Sequence, residues 1–131
     1  MLTDAEYQAL ADFRFALRGF YAFSEAQAAA AGLSAQQHQA LLAIRGSRGE
    51  GMAIGDLADR LALKPHTVSE LIDRMAAAGL VERQRSAADR RRVALTITPR
   101  GEKLLGALSA AHRDELRRMR PLLIELLASL G

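Results

Sequence analysis

Asp89, Arg90, Arg91 and Arg92 stand in a row, followed by Val93-Ala94-Leu95-Thr96-Ile97-Thr98, in which apolar and polar residues alternate. Three adjacent guanidiniums repel one another. Each is a planar fork of donors suited to phosphate or carboxylate. The run therefore suits a polyanionic partner, with Asp89 able to hold one guanidinium in plane by a paired hydrogen bond. The bias extends along the chain. From Glu82 to Lys103 there are seven basic residues against three acids, a local excess larger than the net +3 of all 131 residues. A localised basic stripe is the electrostatic footprint of nucleic acid binding.

A second set of polar side chains precedes this stripe. Over residues 65–78, Val68, Leu71, Ile72 and Met75 recur at helical spacing and form one apolar face. His66, Glu70, Asp73 and Arg74 fall on the opposite face, flanked by Thr67 and Ser69. Short hydroxyls and an imidazole at the start of a helix, with an arginine further along the same face, are suited to base edges and phosphates in a DNA major groove. Glu70 could accept from a cytosine amino group or pair with Arg74 one turn on.

The elements that must position these residues can be read in order. Thr3 or Asp4 opens a first helix, and Gly32 ends it. Leu10, Phe13, Leu17 and Phe20 make one apolar face, while Phe15, Tyr21 and Phe23 make a second. A helix with two apolar faces needs a partner chain to bury both. Ser34 opens a second helix, and a glycine-rich loop spans 46–51. Met52-Ala53-Ile54 is a short extended piece, and Gly55 is the expected cap of a third helix containing Leu57, Ala58 and Leu61. Ala62-Leu63-Lys64 breaks the chain before Pro65, which favours a helical first turn. Gly79 stops the fourth helix. Residues 80–85 and 92–97 read as two strands with their tip at 86–91. A helix follows Pro99, Pro121 breaks or kinks it, and a last helix is expected over 122–130. The fold class expected is mainly α with a small β-hairpin: a winged helix-turn-helix lobe with additional N- and C-terminal helices.

Other chemistries find little support. With no cysteine, disulfides and thiolate chemistry are excluded. His38, His66 and His112 are scattered, and His112, Asp114 and Glu115 do not converge on one helix face, so no metal and no cofactor are expected. The glycine loop at 46–51 lacks the Lys-Ser/Thr of a phosphate-binding loop. No catalytic residue is assigned, and the protein is expected not to be an enzyme. No apolar run reaches the ~18–20 residues of a membrane span, and no leader segment is read. A cytoplasmic protein without membrane contact is the expectation. The alternative to a DNA-binding protein is a winged-helix module that binds protein, but such a surface should be apolar where this one is basic.

The chain resembles the MarR (multiple-antibiotic-resistance regulator) family of bacterial transcription factors. Four stretches carry the likeness: Gly32-Leu33-Ser34-Ala35-Gln36-Gln37-His38; Ile54-Gly55-Asp56-Leu57-Ala58-Asp59-Arg60-Leu61; Thr67-Val68-Ser69 with Asp73-Arg74-Met75 and Gly79-Leu80-Val81; and Asp89-Arg90-Arg91 with Leu95-Thr96-Ile97-Thr98-Pro99-Arg100-Gly101. The resemblance implies a homodimer built from residues 1–32 and 100–131, with 33–99 as the winged lobe, sitting on double-stranded DNA with a palindromic operator. Half-site centres would lie roughly 34 Å apart. It implies a regulator, most often a repressor, whose wing arginine, Arg91, enters the minor groove while Asp89 braces the wing. Many members also bind a small phenolic or anionic effector between the dimerisation helices and the lobe, and then release DNA. The DNA-contacting residues expected are Lys64, His66, Thr67, Ser69, Glu70, Arg74, Arg85, Arg90 and Arg91. Phe20, Phe23 and His38 are the candidate effector contacts. Two positions depart from the pattern: Lys64 stands where the family often has a capping serine, and Glu70 where a polar or basic residue is common.

Overall fold

A computed structural model describes residues 1–47, 51–85 and 91–131. The elements run α1 (Asp4–Ala30), α2 (Ala35–Gly46), β1 (Met52–Ala53), α3 (Ile54–Leu61), α4 (Pro65–Ala77), β2 (Val81–Arg85), β3 (Val93–Ile97) and α5 (Pro99–Ala128). The strands form one antiparallel sheet in the order β1-β3-β2, with Arg83 opposite Leu95 and Arg85 opposite Val93. This is the winged helix-turn-helix order, with a long helix at each end of the chain.

Local signals explain most boundaries. Thr3 and Ser34 each form a reciprocal capping box, with Glu6 and Gln37 respectively. At the end of α4, Gly79 takes φ +75°, so that Leu80 N–H donates to the Met75 carbonyl and Gly79 N–H to that of Ala76. The same pair of bonds ends α3, but there Ala62 occupies the left-handed position at φ 54°. A side chain in that region is strained by roughly 1 kcal/mol, and the tight turn to Pro65 is held by packing rather than by preference.

Two expectations change. Ala53, not Gly55, caps α3, and it does so without a side-chain hydrogen bond. Gly55 lies inside the helix, which starts as soon as the two-residue strand ends. Pro121 does not divide the C-terminal segment, because α5 runs unbroken from Pro99 to Ala128. Pro121 costs one donor to the Arg117 carbonyl. Beyond it Leu126 is buried, and α5 packs along α1, so tertiary contact carries the helix through.

The main core holds Val68, Leu71, Ile72 and Met75 of α4 with Leu41, Leu57, Leu80, Val81, Leu95 and Leu105. One face of α4 is thereby fixed inward and the other outward. α1 behaves differently from its sequence. Its buried residues are the small Ala9, Ser24 and Ala28, while Leu10, Phe13, Phe15 and Tyr21 are exposed. On α5, Leu116, Leu122, Ile124 and Leu127 are exposed as well.

Thr98 joins the lobe to α5. Its hydroxyl donates to the Gly79 carbonyl at 2.6 Å and accepts from Gly101 N–H at 3.0 Å, and its own N–H donates to the Leu80 carbonyl at 3.1 Å. Gly101 makes this junction close. A Cβ there would collide with the Leu80 carbonyl oxygen and lie 2.8 Å from Ile97 Cγ1. Gly101→Ala should therefore destabilise the fold by about 2 kcal/mol, the usual scale of overpacking, despite the ~1 kcal/mol that alanine normally adds in a helix. Thermal unfolding checks this, and an unchanged or higher midpoint would contradict it.

Candidate nucleic-acid interface and adjoining cleft

The outward face of α4 carries His66, Glu70, Asp73 and Arg74, all exposed, with Thr67 and Ser69 half-buried at its edge. Lys64 occupies the N-cap and makes no side-chain hydrogen bond there, and Pro65 follows at the first helical position. The first backbone bond into the turn is Val68 N–H to the Lys64 carbonyl. The amides of His66 and Thr67 thus lack a capping side chain, the arrangement that suits an anion at a helix start. Glu70 and Arg74 form no ion pair with each other among the described residues.

The hairpin rises beside this face. Of β2, only Val81 is buried; Glu82, Arg83, Gln84 and Arg85 are exposed. Arg91 is exposed where the chain turns back toward β3. Asp89 and Arg90 lie outside the described residues. The joint between hairpin and helix is a residue that the sequence shows only as part of a basic stripe. Arg83 Nη2 donates to Asp73 Oδ1 at 2.5 Å and to the Ser69 carbonyl at 3.2 Å. Asp73, expected as a bare charge on the polar face, is instead the partner of a strand arginine ten positions later.

On the other side of α2, a cleft of about 650 Å³ opens between α1, α2 and α5. Phe20 and His38 line it, together with Leu42, Leu116, Leu123, Ile124 and Leu127. Phe23 does not line it; its ring meets His112 edge-on with centroids 5.3 Å apart. Sequence reasoning missed three further groups here. Arg113, Arg117 and Arg120 border the cleft, and their spacing of four and three residues along α5 is a visible stripe. Ser24 and His112 are further omissions, and nothing local in the sequence links them.

His38 and His112 meet in the cleft wall, their rings tilted by 46° with centroids 4.8 Å apart. His112 Nδ1 lies 2.7 Å from the Leu108 carbonyl, which only accepts, so that nitrogen carries the proton. Nε2, 2.8 Å from Ser24 Oγ, then accepts from the hydroxyl. His38 is 2 % exposed, and its Nδ1 has no hydrogen-bond partner among the described residues. Burial, and secondarily the adjacent His112, hold its pKa below the ordinary 6.5. The group is thus kept neutral when folded. Above pH 6.5 this costs nothing, because the unfolded side chain is neutral too. As the pH falls below that value, the unfolded chain takes up a proton that the folded one refuses, and stability is lost. The unfolding midpoint should therefore drop between about pH 7.5 and 5.5, and drop less in His38→Phe. Parallel pH profiles for the two proteins would disprove this.

A model of the MarR family matches residues 31–92, which hold the helix-turn-helix and β2 and stop just before β3. YsmB of Bacillus subtilis, an HTH-type transcriptional regulator, is 38% identical over 68 residues, covering 52% of this chain and 47% of YsmB. The chain thus matches about half the length of that relative. AbsC from Streptomyces coelicolor, a MarR family transcriptional regulator, superposes with a TM-score of 0.71 at 27% identity, over 90% of this chain and 80% of AbsC. A single-substitution variant of MepR from S. aureus, bound to an oligodeoxyribonucleotide, superposes with a TM-score of 0.73 at 22% identity over the whole of both chains, a likeness of fold. A MarR family pattern thus covers just under half of the chain, around the helix-turn-helix, within a fold that is shared along nearly the full chain with MarR family regulators.

Proposed function

We propose that this protein is a DNA-binding transcriptional regulator, a repressor, that grips a palindromic operator as a homodimer. The observation that carries this reading is the outward polar face of α4 with a basic hairpin tied to its flank. One element is shaped for a major groove and the other for the adjacent minor groove. MepR, of the same fold, is seen with DNA bound. In this reading Lys64, His66, Thr67, Ser69, Glu70 and Arg74 meet the major groove, and a phosphate satisfies the uncapped amides at the start of α4. Arg85, Arg90 and Arg91 serve the wing, with Arg91 entering the minor groove and Asp89 bracing it.

Residues 1–32 and 100–131 form the dimer interface, and 33–99 the DNA-binding lobe. The support is the apolar surface left uncovered in one chain. Phe15 on α1 is 78% exposed and Leu127 on α5 68%, within a set that also includes Tyr7, Leu10, Phe13 and Ile124. Apolar exposure on this scale marks a surface made to be covered. Among the described residues no helix is long and apolar enough to cross a membrane, which favours another protein surface as the cover. The protein acts in the cytoplasm, where its operator lies.

The cleft is the effector site of this reading. Its volume falls within the ~300–1,000 Å³ usual for small ligands. Its apolar walls, the arginines at 113, 117 and 120 and the unpartnered His38 nitrogen suit a small aromatic or otherwise lipophilic anion. Such a ligand releases DNA if it binds the DNA-free arrangement more tightly than the DNA-bound one.

Gel-shift and sedimentation measurements with DNA upstream of the protein's own gene test the reading. A dimer should bind selectively, with affinity falling steeply as salt rises. Arg91→Ala should weaken binding about tenfold or more with an unchanged unfolding midpoint. Binding without sequence preference, or a monomer at micromolar concentration, would overturn the proposal. Aromatic carboxylates that raise the unfolding midpoint should also lower operator affinity, about tenfold at saturation. Stabilisation with DNA binding intact would remove the effector role.

A further inference from the structure

We infer that the Asp73–Arg83 pair is a positioning device that locks the wing to the recognition helix, and that Asp73, although acidic, strengthens DNA binding. The inference rests on the DNA-binding reading and adds a role for two residues that make no base or phosphate contact in it.

Arg83 is well placed to fix a relative position. It lies on the segment of β2 paired with β3, opposite the fully buried Leu95. Its backbone is therefore held by the sheet and the core. Its side chain is one-third exposed and crosses to α4, where a single nitrogen reaches both the Asp73 carboxylate and the Ser69 carbonyl. These two acceptors stand one helical turn apart on the edge of α4 that carries Ser69, Glu70 and Arg74. Two residues beyond Arg83 on the same side of the strand is Arg85, the last described residue before the wing tip. The crosslink thus joins the base of the wing to the middle of the polar helical face. Both surfaces must meet one duplex at the same time, so their separation has to be set before binding.

An acid beside a polyanion has an obvious alternative reading: it merely repels phosphate, and Arg83 either cancels it or touches DNA itself. The two readings predict opposite signs for one substitution. If Asp73 only repels, Asp73→Ala removes a negative charge, frees a guanidinium and tightens binding. If the pair positions the wing, the same change weakens binding. Alanine is a good helix former, and an exposed ion pair adds little to global stability, so the fold is retained.

The experiment compares wild type, Asp73→Ala, Arg83→Ala, the double alanine variant and the swap Asp73→Arg/Arg83→Asp, with operator affinity measured across a salt series. Expected are a three- to tenfold loss for each single variant and no further loss in the double one. The charge swap should recover part of the loss. The salt slope of Asp73→Ala should equal that of wild type, because no phosphate contact is lost. Footprints of the weakened variants should lose the flanks covered by the wing and keep the centre. Tighter binding by Asp73→Ala, or a salt slope reduced by about one in Arg83→Ala, would overturn the inference. Hydrogen exchange on the DNA-free protein tests the lock apart from any DNA: the β2 amides should exchange faster in both single variants at an unchanged unfolding midpoint. Unchanged β2 exchange would overturn the lock even where operator affinity falls. Accelerated exchange in a protein that binds no operator would retain the lock and reject the DNA-binding reading.

Discussion

Thr98 is the point on which the architecture turns. One hydroxyl both donates to the end of α4 and accepts from the start of α5, while the same residue's amide holds the Leu80 carbonyl. Three elements thereby end or begin within one small buried patch: the recognition helix, the last strand of the wing and the long C-terminal helix. Gly101 permits this closeness, since any larger residue would meet the Leu80 carbonyl. The junction leaves α4 and α5 unable to move independently without breaking short, buried hydrogen bonds, which are costly to leave unmade. It also explains how a cleft bordered by α5 and a polar face on α4 can belong to one mechanical unit. The exposed Arg45–Glu102 pair adds a second tie between α2 and the first turn of α5, though a solvent-exposed pair contributes little by itself.

The cleft has its own constraint. Its wall holds two imidazoles in contact, one fully satisfied and one not. His112 donates to the Leu108 carbonyl and accepts from the Ser24 hydroxyl, and so uses both nitrogens within the protein. His38 is the more deeply buried of the two, and its Nδ1 has no partner among the described residues. A buried polar atom without a partner costs roughly 1–3 kcal/mol. The aromatic rings of Phe20 and Phe23 meet His112 edge-on and hold its plane.

How much of this is legible beforehand depends on the range of the interaction. The inward face of α4, its stop at Gly79 and the hairpin after it follow from local periodicity and backbone preference, and the structure has them. Residues 32–38 open α2 through the capping box that their Ser and Gln foretell. Where tertiary packing decides, local reading fails. α1 presents its small residues to its own chain and keeps Tyr7, Phe13, Phe15 and Tyr21 outside, because Ala9, Ser24 and Ala28 allow close approach to the neighbouring helices. Periodicity marks both faces as apolar but does not say which one the chain itself covers. Pro121 sits in a helix that packing completes. His38 and His112 lie far apart in the chain, and Asp73 and Arg83 are separated by a helix stop and a strand start, so neither pair has a sequence signature. The arginines at 113, 117 and 120 do have one in their spacing, but the leucine periodicity of the same helix masks it. Asp89 and Arg90, on which much of the sequence-based reading of the wing depends, lie outside the described residues, so the structural case rests on α4, β2 and Arg91.

The acids on the proposed DNA-facing side then acquire a physical reason. Glu70, Asp73 and Glu82 stand among Lys64, Arg74, Arg83, Arg85 and Arg91, and a surface built only for affinity would omit them. Affinity for phosphate is sequence-blind and acts equally at every site on a genome. What a regulator needs is a difference between its operator and all other DNA, and that difference grows when unfavourable groups punish the wrong sequence. Asp73 is withdrawn from this role by Arg83. Glu70 is not: it is exposed, forms no ion pair among the described residues, and sits one turn from Arg74 on the outward face. A carboxylate there is tolerated next to a base that offers an amino group and repelled elsewhere. On this face, in the proposed reading, the basic residues supply attraction, and a carboxylate such as Glu70 limits where that attraction is allowed to act.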